Sequence, residues 1–294
     1  MKKLIDVSSY NGTVNWEKAK AYGCQGAILK IVRKDLARDK QFNANYEACN
    51  ENEVDWGVYN YSYATTAKKA KSDMEIVCDI LDKIDKEYFT YGVWFDLEDK
   101  AQASLSKTKI AEIINAAQQV VESRGYTFGV YTGKSYYEEH IDRKQVKCQN
   151  WWIARYYRGD ARMQIATNPD QEKKPAAANI AWQYTSKGRF PKIISSGNSG
   201  NFDLNVLYKE PVAKKVEENT KKPIKNKKKI VYYPRYKGKS SSIVDALKSL
   251  GINSGKNNRK KIAAMNGIKN YSGGAMQNTK LLNLLKKGKL IKSK

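Results

Sequence analysis

Between residues 4 and 132, short apolar runs alternate with segments whose apolar residues recur at helical spacing, and this alternation restricts the fold more than any other feature. Residues 4–8, 26–32, 56–63, 92–97 and 127–132 read as strands. Between them, 16–21, 43–53, 66–83 and 109–123 read as helices, the first and last closed by Gly23 and Gly125. The third helix repeats Ala70, Met74, Val77, Ile80, Leu81 and Ile84; the fourth repeats Ile110, Ile113, Ile114, Ala117, Val120 and Val121. Strand and helix alternating over short connections predict a parallel sheet wound with helices. After residue 140 the rhythm changes. Residues 150–155, 180–184 and 201–205 read as strands with no helix between them, and eight strands in all predict an α/β, TIM-like closed barrel.

The fourth strand ends abruptly in Asp96-Leu97-Glu98-Asp99. Successive side chains of a strand alternate faces, so Trp94, Asp96 and Glu98 share one face and Asp99 takes the other. Carboxylates two residues apart on a strand lie about 6–7 Å apart, close enough for each to oppose the other's ionisation. A protonated acid beside an ionised one is what glycosidic-bond cleavage needs. The alternative is that the acids are the solvated end of a strand. Barrels of this kind place function at the C-terminal ends of their strands. Asp6, Lys30, Tyr61 and Tyr131 fall at such ends too, on four other strands. A lysine alone in an apolar strand is costly unless its amine escapes or pairs, which places Lys30 near the carboxylates.

The net charge of +24 is uneven: residues 211–294 hold 23 Lys and Arg against 3 Asp and Glu, leaving +4 for residues 1–210. So basic a tail suits nucleic acid, an anionic membrane or an anionic cell wall. Cys24, Cys49, Cys78 and Cys148 lie far apart, without CxxC spacing, so neither metal nor disulfide is expected. His140, the only histidine, sits in a charged stretch that reads as a solvated turn, which disfavours a Cys-His hydrolase. Met1-Lys2-Lys3 begins like a signal peptide, but the apolar run stops at Asp6; no stretch approaches the length of a membrane span, and a cytoplasmic origin is expected.

Six segments together resemble the family 25 glycoside hydrolases, the lysozymes of phages and bacteria that cleave peptidoglycan. They are residues 6–12 (Asp-Val-Ser-Ser-Tyr-Asn-Gly), 57–61 (Gly-Val-Tyr-Asn-Tyr), 96–98 (Asp-Leu-Glu), 130–132 (Val-Tyr-Thr), 182–184 (Trp-Gln-Tyr) and 202–205 (Phe-Asp-Leu-Asn). The resemblance covers about residues 1–208 and implies a barrel of five strand-helix units followed by three barer strands. It further implies Glu98 as general acid, Asp96 as its ionised partner, and Asp6 and Asp203 as the other two acids of the catalytic mouth. The substrate's own N-acetyl group is the expected attacking group. Tyr61, Tyr131, Tyr59, Lys30, Gln183 and Trp152 become the candidate substrate-binding residues, with no metal or cofactor. Two departures stand out: residues 31–35 (Ile-Val-Arg-Lys-Asp) replace a small polar segment ending in Glu-Gly, and Asn60 stands where histidine is frequent.

Three regions are therefore expected: a muramidase barrel over 1–210, a Lys-rich linker over 211–229, and a small, mainly helical basic domain over 230–294. In the last, Ser240, Ser241 and Ser242 can cap a helix over 243–250. Further helices over 258–265 and 277–287 stop at Gly267 and Gly288, the last presenting Leu281, Leu282, Leu284 and Leu285. The domain is similar to helical wall-binding modules such as lysin motifs and the three-helix repeats of some phage lysozymes. The implied protein is an endolysin that waits in the host cytoplasm and then binds peptidoglycan and its anionic polymers. Two rivals remain open: an inactive wall-binding barrel, and a nucleic-acid-binding tail using Tyr232, Tyr233, Tyr236 and Tyr271.

Overall fold

The computed structural model describes residues 1–294 apart from 160, 193, 198, 199, 213–230, 269, 270 and 294. The chain divides into two compact units, Met1–Val216 and Glu217–Lys294. The expected linker falls almost wholly outside the described residues.

In the first unit, β1 (Lys2–Val7), β2 (Ala27–Lys30), β3 (Trp56–Tyr61), β4 (Phe89–Asp96), β5 (Phe128–Gly133) and β6 (Trp151–Ala154) pair in sequence order, all parallel. β8 (Ala181–Arg189) continues parallel to β6, and β9 (Phe202–Leu207) joins β8 back to β1, closing an eight-stranded barrel. The two-residue β7 (Met163–Gln164) is appended to β8. Alternation decides which residues face which layer. Ile5, Val7, Leu29, Val58, Val93, Phe95, Val130 and Ile153 belong to one apolar cluster, with the helices; Leu4, Ile28, Trp94, Tyr131, Trp152 and Leu207 form a second, in the barrel interior.

The helices α1 (Trp16–Ala21), α2 (Phe42–Glu51), α3 (Ala67–Leu81) and α5 (Lys107–Ser123) lie within two or three residues of their expected bounds. Two further helices depart from the sequence reading. Asp99 caps a one-turn helix, α4 (Lys100–Ala103), accepting from Ala101 N at 3.0 Å. The stretch containing His140 is a turn only beyond that residue, where Gln145 N donates to Asp142 O at 3.0 Å; Lys134–His140 forms α6, which completes the fifth strand-helix unit. A third departure matters more for the site. β9 runs antiparallel to both its neighbours, with Asp6 in register with Asp203.

Two glycines set the geometry of β4. Between Trp56 and Val58 the β3–β4 register jumps from Phe89 to Val93, and Gly92 (φ 72°) absorbs this irregularity in a conformation that L side chains avoid. Beyond it, Tyr59 is level with Trp94 and Tyr61 with Asp96. The Trp94 indole then lies against Gly129 of β5, where a Cβ would stand 2.4 Å from the ring.

In the second unit, α7 (Ile243–Ser249), α8 (Lys256–Met265) and α9 (Ala275–Lys287) close a small core of Ile243, Leu247, Ile262, Leu281, Leu285 and Leu290. Gly288 ends α9 with φ 71°, and an isolated bridge joins Tyr232 to Ile291. Tyr236 and Tyr271 are buried in this core, so of the four tyrosines offered for nucleic acid, only Tyr232 and Tyr233 reach the surface.

Gly129→Val should force the Trp94 ring to move and destabilise the barrel by about 1–3 kcal/mol, read as a lower urea midpoint with an unchanged slope.

Candidate active site

The four acids arrive at one end of the barrel by four routes. β1 brings Asp6, β4 brings Asp96, the extension of β4 brings Glu98, and β9 brings Asp203 from its N-terminal end. Only an antiparallel β9 can do the last, because its start lies level with the C-terminal ends of the parallel strands. The ladder continues past the formal end of β4. Leu97 N donates to Tyr131 O at 2.9 Å and Thr132 Oγ1 donates to Leu97 O at 2.6 Å, which keeps the alternation and returns Glu98 to the Asp96 side. Gln102 of α4 then ties the turn down, donating to Ser62 Oγ at 3.2 Å and to Ala64 O at 3.0 Å.

Asp6 is the hub of a buried network. Its Oδ2 accepts from Gln183 Nε2 at 2.9 Å and from Asn205 Nδ2 at 2.8 Å. Gln183 Oε1 in turn accepts from Tyr131 OH at 2.8 Å and Tyr156 OH at 2.7 Å, and Asn205 Oδ1 accepts from Trp152 Nε1 at 2.8 Å. Asp203 and Asp6 share a hydrogen bond that favours the proton on Asp203 and the charge on Asp6. Burial raises the Asp6 carboxyl to about 6, with the Asn205, Gln183 and Asp203 hydrogen bonds acting against the rise. Burial holds Asp203 well above the ordinary carboxylate range, and the Asp6 charge adds to it.

Asp96 is only 4% exposed and its Oδ1 has no hydrogen-bond partner among the described residues. Burial therefore raises its carboxyl far above the usual range, Glu98 and Asp6 raise it further, and the Lys30 cation acts in the opposite direction. Glu98 opens to solvent at the mouth. The walls around it still desolvate it enough to raise its pKa, helped by Asp6 and opposed by Lys30. Burial and like charge thus raise the proton affinity of both members of the pair, most strongly that of buried Asp96.

Lys30 is half-buried at the mouth, its Nζ 5.8 Å from the Tyr59 ring centre and 5.9 Å from that of Tyr61. Tyr61 is level with Asp96 across the β3–β4 ladder. Tyr131, Gln183 and Trp152 lie deeper. Trp152 is 2% exposed and packs against Tyr131, with ring centres 4.4 Å apart and planes tilted by 59°, inside the barrel. These three contact the acid network rather than the open mouth. The sequence reading gave no role to Asn205 or Tyr156. Asn205 sits two residues from Asp203 on the same strand face, which the alternation rule could have found; Tyr156 lies beyond the end of β6, where no periodicity marks it.

Carboxyls gathered at the C-terminal mouth of a strand-helix barrel define a barrel enzyme site. The chain belongs to the glycosyl hydrolases family 25, whose sequence profile matches residues 5–193. Among curated protein sequences none matches. Among solved structures, the catalytic domain of the endolysin ply40 from bacteriophage P40 of Listeria monocytogenes is similar at 20% identity and TM-score 0.56, covering 70% of this chain and 93% of that one. The modular autolysin LytC from Streptococcus pneumoniae, in complex with a synthetic peptidoglycan ligand, is similar at 24% identity and TM-score 0.55, covering 70% of this chain. The match spans 46% of the length of LytC. A bacterial lysozyme from Streptomyces coelicolor is similar at 20% identity and TM-score 0.52, covering 71% of this chain and 93% of that one.

The raised carboxyls make a stability prediction whose sign is fixed. Each binds its proton more tightly folded than unfolded, so its contribution is full below the unfolded value and lost as pH rises through the folded one; for Asp6 that window runs from 3.8 to about 6. Asp96→Asn removes one such group. Its thermal midpoint should exceed that of wild type at pH 8 by more than it does at pH 5, in parallel melting curves.

Proposed function

We propose that the chain is an endolysin whose barrel is an N-acetylmuramidase, hydrolysing the β-1,4 bond between N-acetylmuramic acid and N-acetylglucosamine of peptidoglycan. The observation that carries this reading is the Asp96–Glu98 pair at the mouth of a family 25 barrel, one acid buried and one open, both with raised proton affinity.

The pair needs one proton and one charge. Glu98, the open member, holds the proton toward the leaving glycosidic oxygen. Asp96 is ionised in the reacting complex, beneath the sugar carbon, where positive charge develops as the bond breaks. Ionised Asp96 is costly in the empty site, and the developing charge offsets that cost, so the site favours the transition state over the free protein. The substrate's N-acetyl oxygen closes on the carbon, and water then opens the intermediate, leaving muramic acid at the new reducing end. Asp6, held by Gln183 and Asn205, keeps a negative field under Glu98 that sustains its proton. Tyr59, Tyr61 and Lys30 supply sugar contacts on one wall, while Tyr131, Gln183 and Trp152 position Asp6.

The second unit acts as a wall-binding domain whose cations hold anionic wall polymers. Tethering to an insoluble substrate raises its local concentration. The protein would remain in the host cytoplasm until lysis begins and then act on the wall.

Glu98→Gln should lower kcat on purified peptidoglycan by about 10²- to 10⁴-fold, with wall binding retained. Equal clearing by variant and wild type would remove Glu98 as the acid, and no release of reducing ends by wild type would leave a binding protein instead. Lys30→Met removes the cation that favours ionised Glu98, so the alkaline limb of the pH–activity profile should move to higher pH. In sedimentation with cell walls, the full chain should be released by rising salt, and a variant lacking residues 231–294 should bind less at every salt concentration. Retention on DNA but not on walls would favour the nucleic-acid reading.

A further inference from the structure

Strand β3 leads out of the acid site into a second constellation that the acids do not account for. The Tyr61 and Tyr63 rings lie 4.8 Å apart, tilted by 40°. Lys30 Nζ stands over the first, and Lys34 Nζ stands 4.7 Å from the centre of the second. Two cations and two rings thus form a shelf that starts level with Asp96 and runs away from it.

The loop carrying Lys34 is firmly built. Ile31 N donates to Tyr59 O at 3.1 Å, Asp39 N to Ile31 O at 3.0 Å and Arg33 N to Ala37 O at 2.8 Å. Val32 faces Arg38 in an antiparallel bridge. The reversal between them passes through Leu36 at φ 61°, a left-handed conformation that a leucine rarely adopts and that the surrounding bonds must hold. The other cations of the loop are engaged. Arg33 makes two bonds to Asp35, at 3.2 and 2.7 Å, and Arg38 Nη1 donates to Asn43 Oδ1 at 3.1 Å. Lys34 is exposed and has no carboxylate partner among the described residues. An aromatic face beneath an ammonium orients it without neutralising it.

We propose that Tyr61, Tyr63 and Lys34 form a specificity subsite that takes a sugar of the substrate against the two rings and a carboxylate of the attached peptide against the Lys34 ammonium. The inference rests on the muramidase reading for its substrate. The carboxylate fits because Asp99 and Asp96 act on the Tyr63 ring yet neither pairs with Lys34, whose ammonium offers an incoming carboxylate up to three donors. Peptidoglycan carries such groups on the peptide of alternate sugars, so one can lie beside the shelf while a neighbouring bond lies over the acids. Lys34 also lies within residues 31–35, where the sequence departs from the family pattern.

Calorimetric binding of two soluble glycan fragments tests this, one with free peptide carboxylates and one with the same carboxylates amidated. The full-length chain carrying Glu98→Gln is used so that neither fragment is consumed. The free-acid fragment should bind more tightly, and the preference should shrink in salt. Adding Lys34→Met should reduce the preference about three- to fivefold, and Lys34→Arg should keep it. Tyr63→Ala should weaken both fragments alike. No preference in the Glu98→Gln chain, or a preference that Lys34→Met leaves unchanged, overturns the subsite. Turnover of the same fragments by wild type is read separately: a preference without turnover keeps the subsite and removes the muramidase reading.

Discussion

Burial of like charges within one ring of strand ends is the constraint on which the rest of the barrel's mouth depends. Four carboxyls converge there, and all four bind protons more tightly than they would in water. Such a cluster holds together only if charge is distributed unevenly among its members. The fold achieves this with amides. Gln183 and Asn205 both aim N–H donors at one oxygen of Asp6, and Asp203 is held close enough to donate as well. Charge therefore settles on Asp6, and Asp96, without such donors, resists it.

The same arrangement explains why large side chains fill the barrel beneath the acids. Tyr131, Tyr156 and Trp152 donate to the oxygens of Gln183 and Asn205 and so hold the N–H ends of both amides toward Asp6. Trp152 packs on Tyr131 and on Trp94, so the aromatic floor is both apolar filling and the outer shell of the acid site. Packing and chemistry share the same side chains. A substitution in the floor would reach the acids through one amide.

Much of the barrel could be read from periodicity, because β1 to β6 and α1, α2, α3 and α5 each carry an apolar pattern set by one buried face. Where no such face exists the reading failed. α6 buries none of its residues, so it has no stripe to detect, and α4 is a single turn made by Asp99 and Gln102. The direction of β9 was also hidden, since alternation is the same whichever way a strand runs. The site was legible where spacing on one strand decides it, as for Asp96 and Glu98. It was less so where depth in the barrel decides, as for Trp152 and Gln183, because depth depends on register between strands distant in sequence.

The closure of β1 by β9 also sets the order of assembly during synthesis. Asp6 is translated some two hundred residues before Asp203, yet the two share a register position. Until β9 emerges from the ribosome, Asp6 lacks Asn205 and Asp203 and the sheet has two free edges. A nascent barrel therefore lacks part of its acid cluster. The contact that finishes the barrel is also the one that completes the acid cluster, so closure and cluster arrive together with β9.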